Sequence, residues 1–237
     1  MKNKSLAVAK INFRNIKLAY LLTAILIGAI LIQDVVFLIL STFNINPNGP
    51  DNMTVSFGNY LFLVILLSAV FIPSRNFRKM MNLGGKRTDF FKGCAVNYAI
   101  MAAVISLAST ILYYTVDKYM VSVLYGGGTL DVLYWFGWIN NGPVIAFFQQ
   151  FAFLLFAAVF IHTLTAMQDK WYGWVTDIVI VAIISVFTPI TPLRSALVWF
   201  FNLIIFQSNA FMQIGSCLLF AVLIYALNRI FFARKAI

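Results

Sequence analysis

The sequence contains no glutamate, one histidine and two cysteines. An intramembrane metalloprotease needs a ligand cluster such as HExxH, and a glutamate-dependent membrane protease needs Glu, so both of these classes are excluded. Cys94 and Cys217 lie far apart without CxxC spacing, which excludes a metal or redox motif. A rhomboid-like serine protease needs its histidine on a helix after the serine, but His162 precedes Ser216. We therefore predict a chain that is not an enzyme and binds no metal.

A phosphate-binding loop is also missing. Gly84, Gly85 and Lys86 resemble the end of the GxxxxGK[ST] pattern, but Met80 stands where its first glycine belongs and Arg87 stands where Ser or Thr is required. No dinucleotide-binding motif is present either. We therefore expect no cofactor on this chain, and any nucleotide that drives the protein must bind a partner.

Hydrophobic residues make up 62% of the chain, and the mean hydropathy is +0.91. No water-soluble domain of this length could present such a surface, so the sequence predicts an integral membrane protein. A spanning helix needs ~20 apolar residues. The sequence predicts one transmembrane domain over residues 1–237, all-α, with six spans. They are predicted at Leu18–Leu40, Phe57–Pro73, Gly93–Val116, Pro143–Met167, Trp171–Phe187 and Asn209–Phe232.

The distribution of basic residues predicts the orientation. With six spans, fifteen of the seventeen Lys and Arg residues fall on one side, and Lys118 and Arg194 fall on the other. The positive-inside bias then predicts a multi-pass protein of the plasma membrane with both termini in the cytoplasm. The net charge of +10 is explained by topology and by attraction to anionic lipid, so no nucleic-acid partner is expected.

The N-terminal segment Met1–Lys17 has the pattern of an amphipathic helix. Its apolar and basic residues form adjacent helical stripes, which predicts a helix in the inner interface before the first span. The apolar stripe comprises Leu6, Ala9, Phe13, Ile16 and Tyr20, and the basic stripe comprises Lys10, Arg14 and Lys17. Contact with a partner and a purely topological function both fit this pattern.

The segment Ser74–Lys92 holds six basic residues in nineteen positions. Phe77, Met80, Met81 and Leu83 lie among these charges. This mixture predicts a short amphipathic helix after a span that ends at Pro73, a break at Gly84-Gly85 and a return into the membrane. We interpret the segment as a docking surface for a soluble partner.

A few polar residues fall inside the spans. Asp177, Gln149 and His162 are candidates for a translocation path, because intramembrane polar groups face protein or water. For His162, an internal hydrogen bond is the alternative interpretation. Two outer connections, Asp117–Gly142 and Phe187–Gln207, contain Gly or Pro breaks and predict re-entrant or interfacial structure.

This layout resembles the permease subunits of ABC-2 type exporters. The string Leu83-Gly84-Gly85-Lys86-Arg87-Thr88-Asp89-Phe90-Phe91 is similar to the loop by which that family enters its third span. The resemblance implies a permease pair, as a homodimer or with a sister subunit, seated on cytoplasmic P-loop ATPase subunits that bind ATP and Mg. It also implies a coupling helix at Ser74–Lys92 and a connecting helix at Met1–Lys17. The ATPase-docking residues would be Arg78, Lys79, Leu83, Gly84, Gly85, Lys86, Arg87, Thr88, Asp89 and Phe90, and those of the connecting helix would be Lys10, Phe13, Arg14 and Lys17.

The size and the Phe-rich spans are most similar to bacterial exporters of amphipathic or antimicrobial peptides, including phenol-soluble modulin exporters. The resemblance therefore implies outward transport of such peptides or of other hydrophobic molecules. A membrane protein without a transport cycle is the alternative, either the substrate-capturing component of a vitamin transporter or an immunity protein that sequesters a peptide antibiotic.

Overall fold

The computed structural model describes residues 4–43, 54–117 and 129–234. Most of these residues are helical, as the sequence predicts. The α-helices are α1 Lys4–Asn15, α2 Lys17–Thr42, α3 Phe57–Phe71, α4 Phe77–Asn82, α5 Arg87–Leu112, α6 Val132–Trp135, α7 Pro143–Met167, α8 Trp171–Phe187, α9 Thr191–Phe201 and α10 Ala210–Arg234.

Shorter elements connect these helices. Thr54–Val55 (β1) and Thr129–Leu130 (β2) form a two-residue parallel pair, which is the one strand pairing within the described ranges. A 3₁₀ turn covers Trp138–Asn141. Three π-helical segments directly follow α3, α5 and α9, at Ile72–Asn76, Tyr113–Asp117 and Asn202–Phe206.

Each of the six predicted spans coincides with a helix. By length and composition, four helical stretches could cross a membrane: Phe57–Asn82, Arg87–Asp117, Pro143–Met167 and Ala210–Ile230. Two further stretches are long and apolar enough to cross only if a bent helix pair is taken as one span. The first pair is α1 and α2, with a bend of 45°, and the second is α8 and α9 with its π segment, with a bend of 117°. Residues 4–43, 54–117 and 129–234 therefore contain the helices of a membrane protein, with four to six candidate spans.

The prediction that the second span ends at Pro73 is wrong. Pro73 lies in the π-helical segment, and α3 continues through that segment into α4. Proline lacks a backbone N–H and crowds the preceding turn, and the wider π turn is a local adjustment that accommodates such a misfit. The predicted amphipathic helix is therefore present as α4, and it is continuous with α3 through the π-helical segment.

The bundle is built around α3, α5 and α7, which pack on one another. Their shared core contains Ile65, Phe77, Phe90, Tyr98 and Leu154, all buried. Helix α10 packs along α7, and α2 packs against α3. Helix α8 is peripheral, because Gly173 is its one buried residue and most of its apolar side chains are exposed.

The predicted outer connections are partly described. In Asp117–Gly142, residues 118–128 lie outside the described ranges, and α6 and the 3₁₀ turn fold over the bundle. Tyr134 and Trp135 are exposed, as expected for boundary aromatics, but Trp138 is buried and donates to the Ile205 carbonyl at 3.0 Å. The Phe187–Gln207 segment forms α9 and its π segment after the sharp bend.

Candidate docking surface

Helix α1 lies directly against the start of α5. Val8 and Ala9 are buried there, and a Cβ at Gly93 would come within 2.6 Å of Val8 Cβ. The absence of a side chain at Gly93 therefore lets the two helices approach closely. The buried stripe of α1 also includes Asn12, whereas Leu6 of the predicted apolar stripe is exposed.

Asn12 joins three elements at the centre of this contact. Its Oδ1 accepts a hydrogen bond from Asn76 Nδ2 at 3.3 Å, and its Nδ2 lies 3.7 Å from Cys94 Sγ in donor geometry. All three side chains are buried. Because a buried amide is costly without partners, this cluster specifies how α1, the π segment and α5 fit together.

The end of α4 is a glycine-terminated turn. Gly84 has φ +77°, and its N–H bonds to the Met81 carbonyl at 2.9 Å while the Gly85 N–H bonds to the Met80 carbonyl at 3.0 Å. This is the Schellman pattern, which favours glycine at the left-handed position. The turn leaves the Leu83 side chain 87% exposed at its tip.

Aromatic packing fixes this turn on the bundle. Phe77 of α4 and Phe90 of α5 are both buried, and their rings meet edge to face with centroids 5.4 Å apart. Phe90 was predicted to contact a partner, but a fully buried side chain cannot do so. Its contribution is to hold α4 and α5 together beneath the exposed surface.

A small pocket of about 200 Å³ opens between α1 and the α4 turn. It lies where the predicted connecting helix meets the predicted coupling segment, and its apolar walls are flanked by Lys79. The lining residues are Ile11, Asn15, Asn76, Lys79, Met80, Leu83 and Gly85. Such a pocket fits an apolar side chain of a partner, with a cation at its edge.

The predicted docking residues differ in exposure. Arg78 pairs with Asp169 in the α7–α8 turn at 3.5 Å, a surface ion pair. The exposed group comprises Lys10, Arg14, Lys17, Arg78, Lys79, Leu83, Gly84, Lys86 and Thr88. The half-buried group comprises Phe13, Gly85, Arg87 and Asp89. The surface is therefore strongly basic around an apolar centre.

The three candidates for a translocation path do not form one site. Gln149 accepts from Asn141 at 3.1 Å, and Tyr98 and His162 share a hydrogen bond of 2.6 Å. Gln149 and His162 are thirteen positions apart, which corresponds to ~20 Å along α7. Asp177 accepts from Gln168 at the α7–α8 turn. Each candidate thus has its own hydrogen-bond partner.

A larger polar cluster was not foreseen from the sequence. Gln150 donates to Ser109 at 2.9 Å, and its Oε1 accepts from Ser106 at 3.3 Å and Thr110 at 3.4 Å. The signal was available, because Ser106, Ser109 and Thr110 have the i, i+3, i+4 spacing of one helix face. The cluster ties α5 to α7 inside the bundle.

The chain matches no protein-family model, no curated protein and no solved structure.

Proposed function

We propose that this protein is the membrane-spanning subunit of an ATP-driven exporter, powered by a separate cytoplasmic P-loop ATPase. The family resemblance of the sequence supports this proposal. In the proposed arrangement the chain crosses the plasma membrane six times, and both termini lie in the cytoplasm. Helix α4 with the turn at Leu83–Gly85 serves as the coupling helix. ATP and Mg bind the partner, and the chain itself performs no hydrolysis.

The carrying observation is that the two segments singled out by the sequence meet in space. Helix α1 and the α4 turn enclose the pocket lined by Ile11, Met80 and Leu83, although more than sixty residues separate them in the chain. A pocket with the exposed Lys79 at its edge is suited to a partner surface that presents an apolar side chain beside a carboxylate. We therefore place the ATPase contact at this pocket.

The connections of this surface suggest how a partner's movement would reach the membrane. Helix α4 continues from α3, α5 begins two residues after Gly85, and α1 is fastened to α5 through Asn12 and Gly93. A displacement of the turn would therefore move α1, α3 and α5 as one body. Such rigid-body motion is an established way to switch the exposure of a cavity.

The transported molecule in this proposal is an amphipathic peptide or another hydrophobic compound. The cavity would form between two permeases, because a single chain exposes the apolar side chains of α8 on nearly all sides. A second copy or a sister subunit would cover part of that surface, and lipid would cover the rest.

The test is a charge reversal at the docking turn. Replacing both Lys86→Glu and Arg87→Glu should abolish stimulation of the partner's ATPase while membrane insertion stays intact, because an attractive surface becomes repulsive. The measurement is ATP hydrolysis by the partner co-purified or reconstituted with each variant. Copurification with a stoichiometric P-loop ATPase is the prerequisite.

A double reversal at Arg75→Glu and Lys92→Glu is the matched control, since it makes the same charge change within the same segment but farther along the chain from the turn at Leu83–Gly85. Both side chains are exposed. Stimulation should survive in this control. Equal loss in both variants, or unchanged stimulation after reversal of Lys86 and Arg87, would contradict docking at the turn.

A further inference from the structure

A groove runs along the outside of the bundle between α5 and α10. Both helices pack on α7 but contact each other only weakly, so a gap of about 560 Å³ remains between them. This size is within the usual range of small-molecule sites. Val159 of α7 and Tyr98 of α5 form its buried floor, and Val222 and Ala226 form an exposed rim.

Small residues create the gap. Four alanines line it, where longer side chains would have filled the space. They are Ala95 and Ala99 on α5 and Ala221 and Ala226 on α10. Ala95 and Ala99 are four residues apart and share one face of α5, and Ala221 is buried whereas Ala226 lies at the exposed rim of the groove. The groove is therefore a continuous apolar channel along the bundle surface.

The polar atoms of the walls already have protein partners. The Tyr225 hydroxyl donates to the Phe91 carbonyl, and the two rings stack with centroids 4.1 Å apart. The Tyr98 hydroxyl is engaged with His162 Nδ1 at 2.6 Å. The walls thus present carbon and ring surfaces, which favour an aliphatic occupant and offer little to a polar one.

One end of the groove carries a positive charge. Arg229 lines that end and is exposed, and no carboxylate within residues 4–43, 54–117 and 129–234 pairs with it. Phe91, near the N-terminus of α5, lies at the same end. The charge and the apolar channel together match a molecule with an anionic head and a hydrocarbon tail.

We propose that this groove binds one acyl chain of an anionic phospholipid, with the phosphate at Arg229. Ala221 and Arg229 are eight residues apart, ~12 Å along the helix, and one leaflet of the hydrocarbon core is ~15 Å thick. A chain anchored at Arg229 therefore follows the groove to the middle of the bilayer. In the orientation proposed above, Arg229 faces the inner leaflet, where anionic lipids attract basic residues.

The test is retention of lipid by the purified full-length chain, without any ATPase. Delipidated protein in mild detergent is mixed with equal amounts of phosphatidylglycerol and phosphatidylcholine of identical acyl chains, and bound lipid is counted by native mass spectrometry. We expect one phosphatidylglycerol per chain, preferred about fivefold, because phosphatidylcholine carries the same phosphate but compensates it with its own choline cation; this ratio corresponds to one basic residue beside a net negative headgroup.

Two variants separate the head and tail contacts. Arg229→Gln should bring the preference close to one, whereas Ala226→Phe should lower retention of both lipids by filling the groove from its rim. Arg194→Gln is the control for Arg229→Gln, because it removes a cation outside the groove. Leu223→Phe is the control for Ala226→Phe, because it enlarges an exposed residue of α10 outside the groove. Both controls should behave as the unmodified chain, and thermal midpoints identify variants that fail to fold.

Equal retention of the two lipids by the unmodified chain, or an unchanged preference in Arg229→Gln, would overturn the proposal. Loss of a dimer in Ala226→Phe with lipid retention intact would also overturn it, because a second copy would then cover the groove. The ATPase proposal would survive each of these results, since the measurement contains no partner.

Discussion

Two acidic residues, Asp117 and Asp131, lie buried beside Ser56. The Ser56 hydroxyl donates to Asp117 Oδ2, and Asp131 Oδ1 accepts from the Leu133 N–H at 2.6 Å as the N-cap of α6. Only 1% of Asp131 is exposed. Burial raises the pKa of Asp131, and the hydrogen bond from the Leu133 backbone N–H acts in the opposite direction.

This burial predicts a pH dependence of stability. Because the folded pKa of Asp131 lies above its unfolded value, the folded state binds more protons between those two values. The free energy of unfolding should therefore fall as pH rises through this window. The stability that the protonated Asp131 provides is fully present only at pH values below the window. Asp131→Asn should remove this component, since an amide still accepts the capping hydrogen bond.

The measurement is the thermal midpoint in detergent from pH 7 downward, for the unmodified chain and the variant. We expect the difference between them to change by a few degrees. Asp169→Asn alters a carboxylate in the α7–α8 turn and should keep the pH dependence. A constant difference between Asp131→Asn and the unmodified chain across this range would contradict the prediction.

At the scale of elements, the position of α1 depends on Gly93. Alanine at this site would place its Cβ against Val8, so α1 must shift away from α5. We expect Gly93→Ala to expose α1 to hydrogen exchange and to proteolysis within residues 4–15. If α1 belongs to the docking surface, partner stimulation should fall as well.

A second substitution makes this prediction specific. Val8→Gly removes both side-chain atoms that the new Cβ meets most closely, Cγ1 at 2.4 Å and Cβ at 2.6 Å, so the double variant should recover part of the protection of α1. Gly28→Ala in α2 is the matched control, because nothing lies within 4 Å of its added Cβ. That change should stabilise the helix by about 0.5–1 kcal/mol. Unchanged protection of α1 in Gly93→Ala would contradict the predicted contact.

For the whole molecule, the number of spans determines the side on which Ser208 lies. If the α8–α9 pair counts as a span, Ser208 and Leu83 face opposite sides of the membrane. If only the four straight stretches cross, the chain between α7 and α10 stays on the side of Leu83. We expect six spans, and therefore opposite sides.

Single-cysteine labelling measures this directly. Cys94 and Cys217 are buried and can be replaced, after which Leu83→Cys and Ser208→Cys provide exposed reporters. An impermeant maleimide added to intact cells should label the reporter at position 208 and not the one at 83. If neither reporter is labelled until the cells are opened, the result supports four spans.

The sequence was most informative where a local property decides the structure. Every predicted span coincides with a helix because a long apolar run leaves the backbone no other way to satisfy its hydrogen bonds in lipid. The turn at Gly84 was foreseen for a similar reason, since glycine adopts positive φ at little cost. Pro73 misled the prediction because a π turn accommodated it.

The candidate site was only partly predictable. The exposed basic residues around Leu83 were foreseen from composition, but the burial of Phe90 depends on Phe77, thirteen residues earlier. The sequence did not indicate that Gln149 and His162, on one helix, have different hydrogen-bond partners in Asn141 and Tyr98. Hydrogen-bond partners of buried groups lie far apart in the chain, and no local pattern specifies them.

The sequence by itself therefore determined the membrane character, the positions of the apolar helices and the basic segment between the second and third of them, since these follow from hydropathy and charge along the chain. Tertiary structure alone decided that α1 joins that segment, that Asn12 unites three elements, and that a groove remains between α5 and α10. The physical reason is that each of these depends on close packing between residues that are distant in the chain. The absent side chain at Gly93 allows contact between α1 and α5, and the short side chain at Ala99 leaves a gap between α5 and α10.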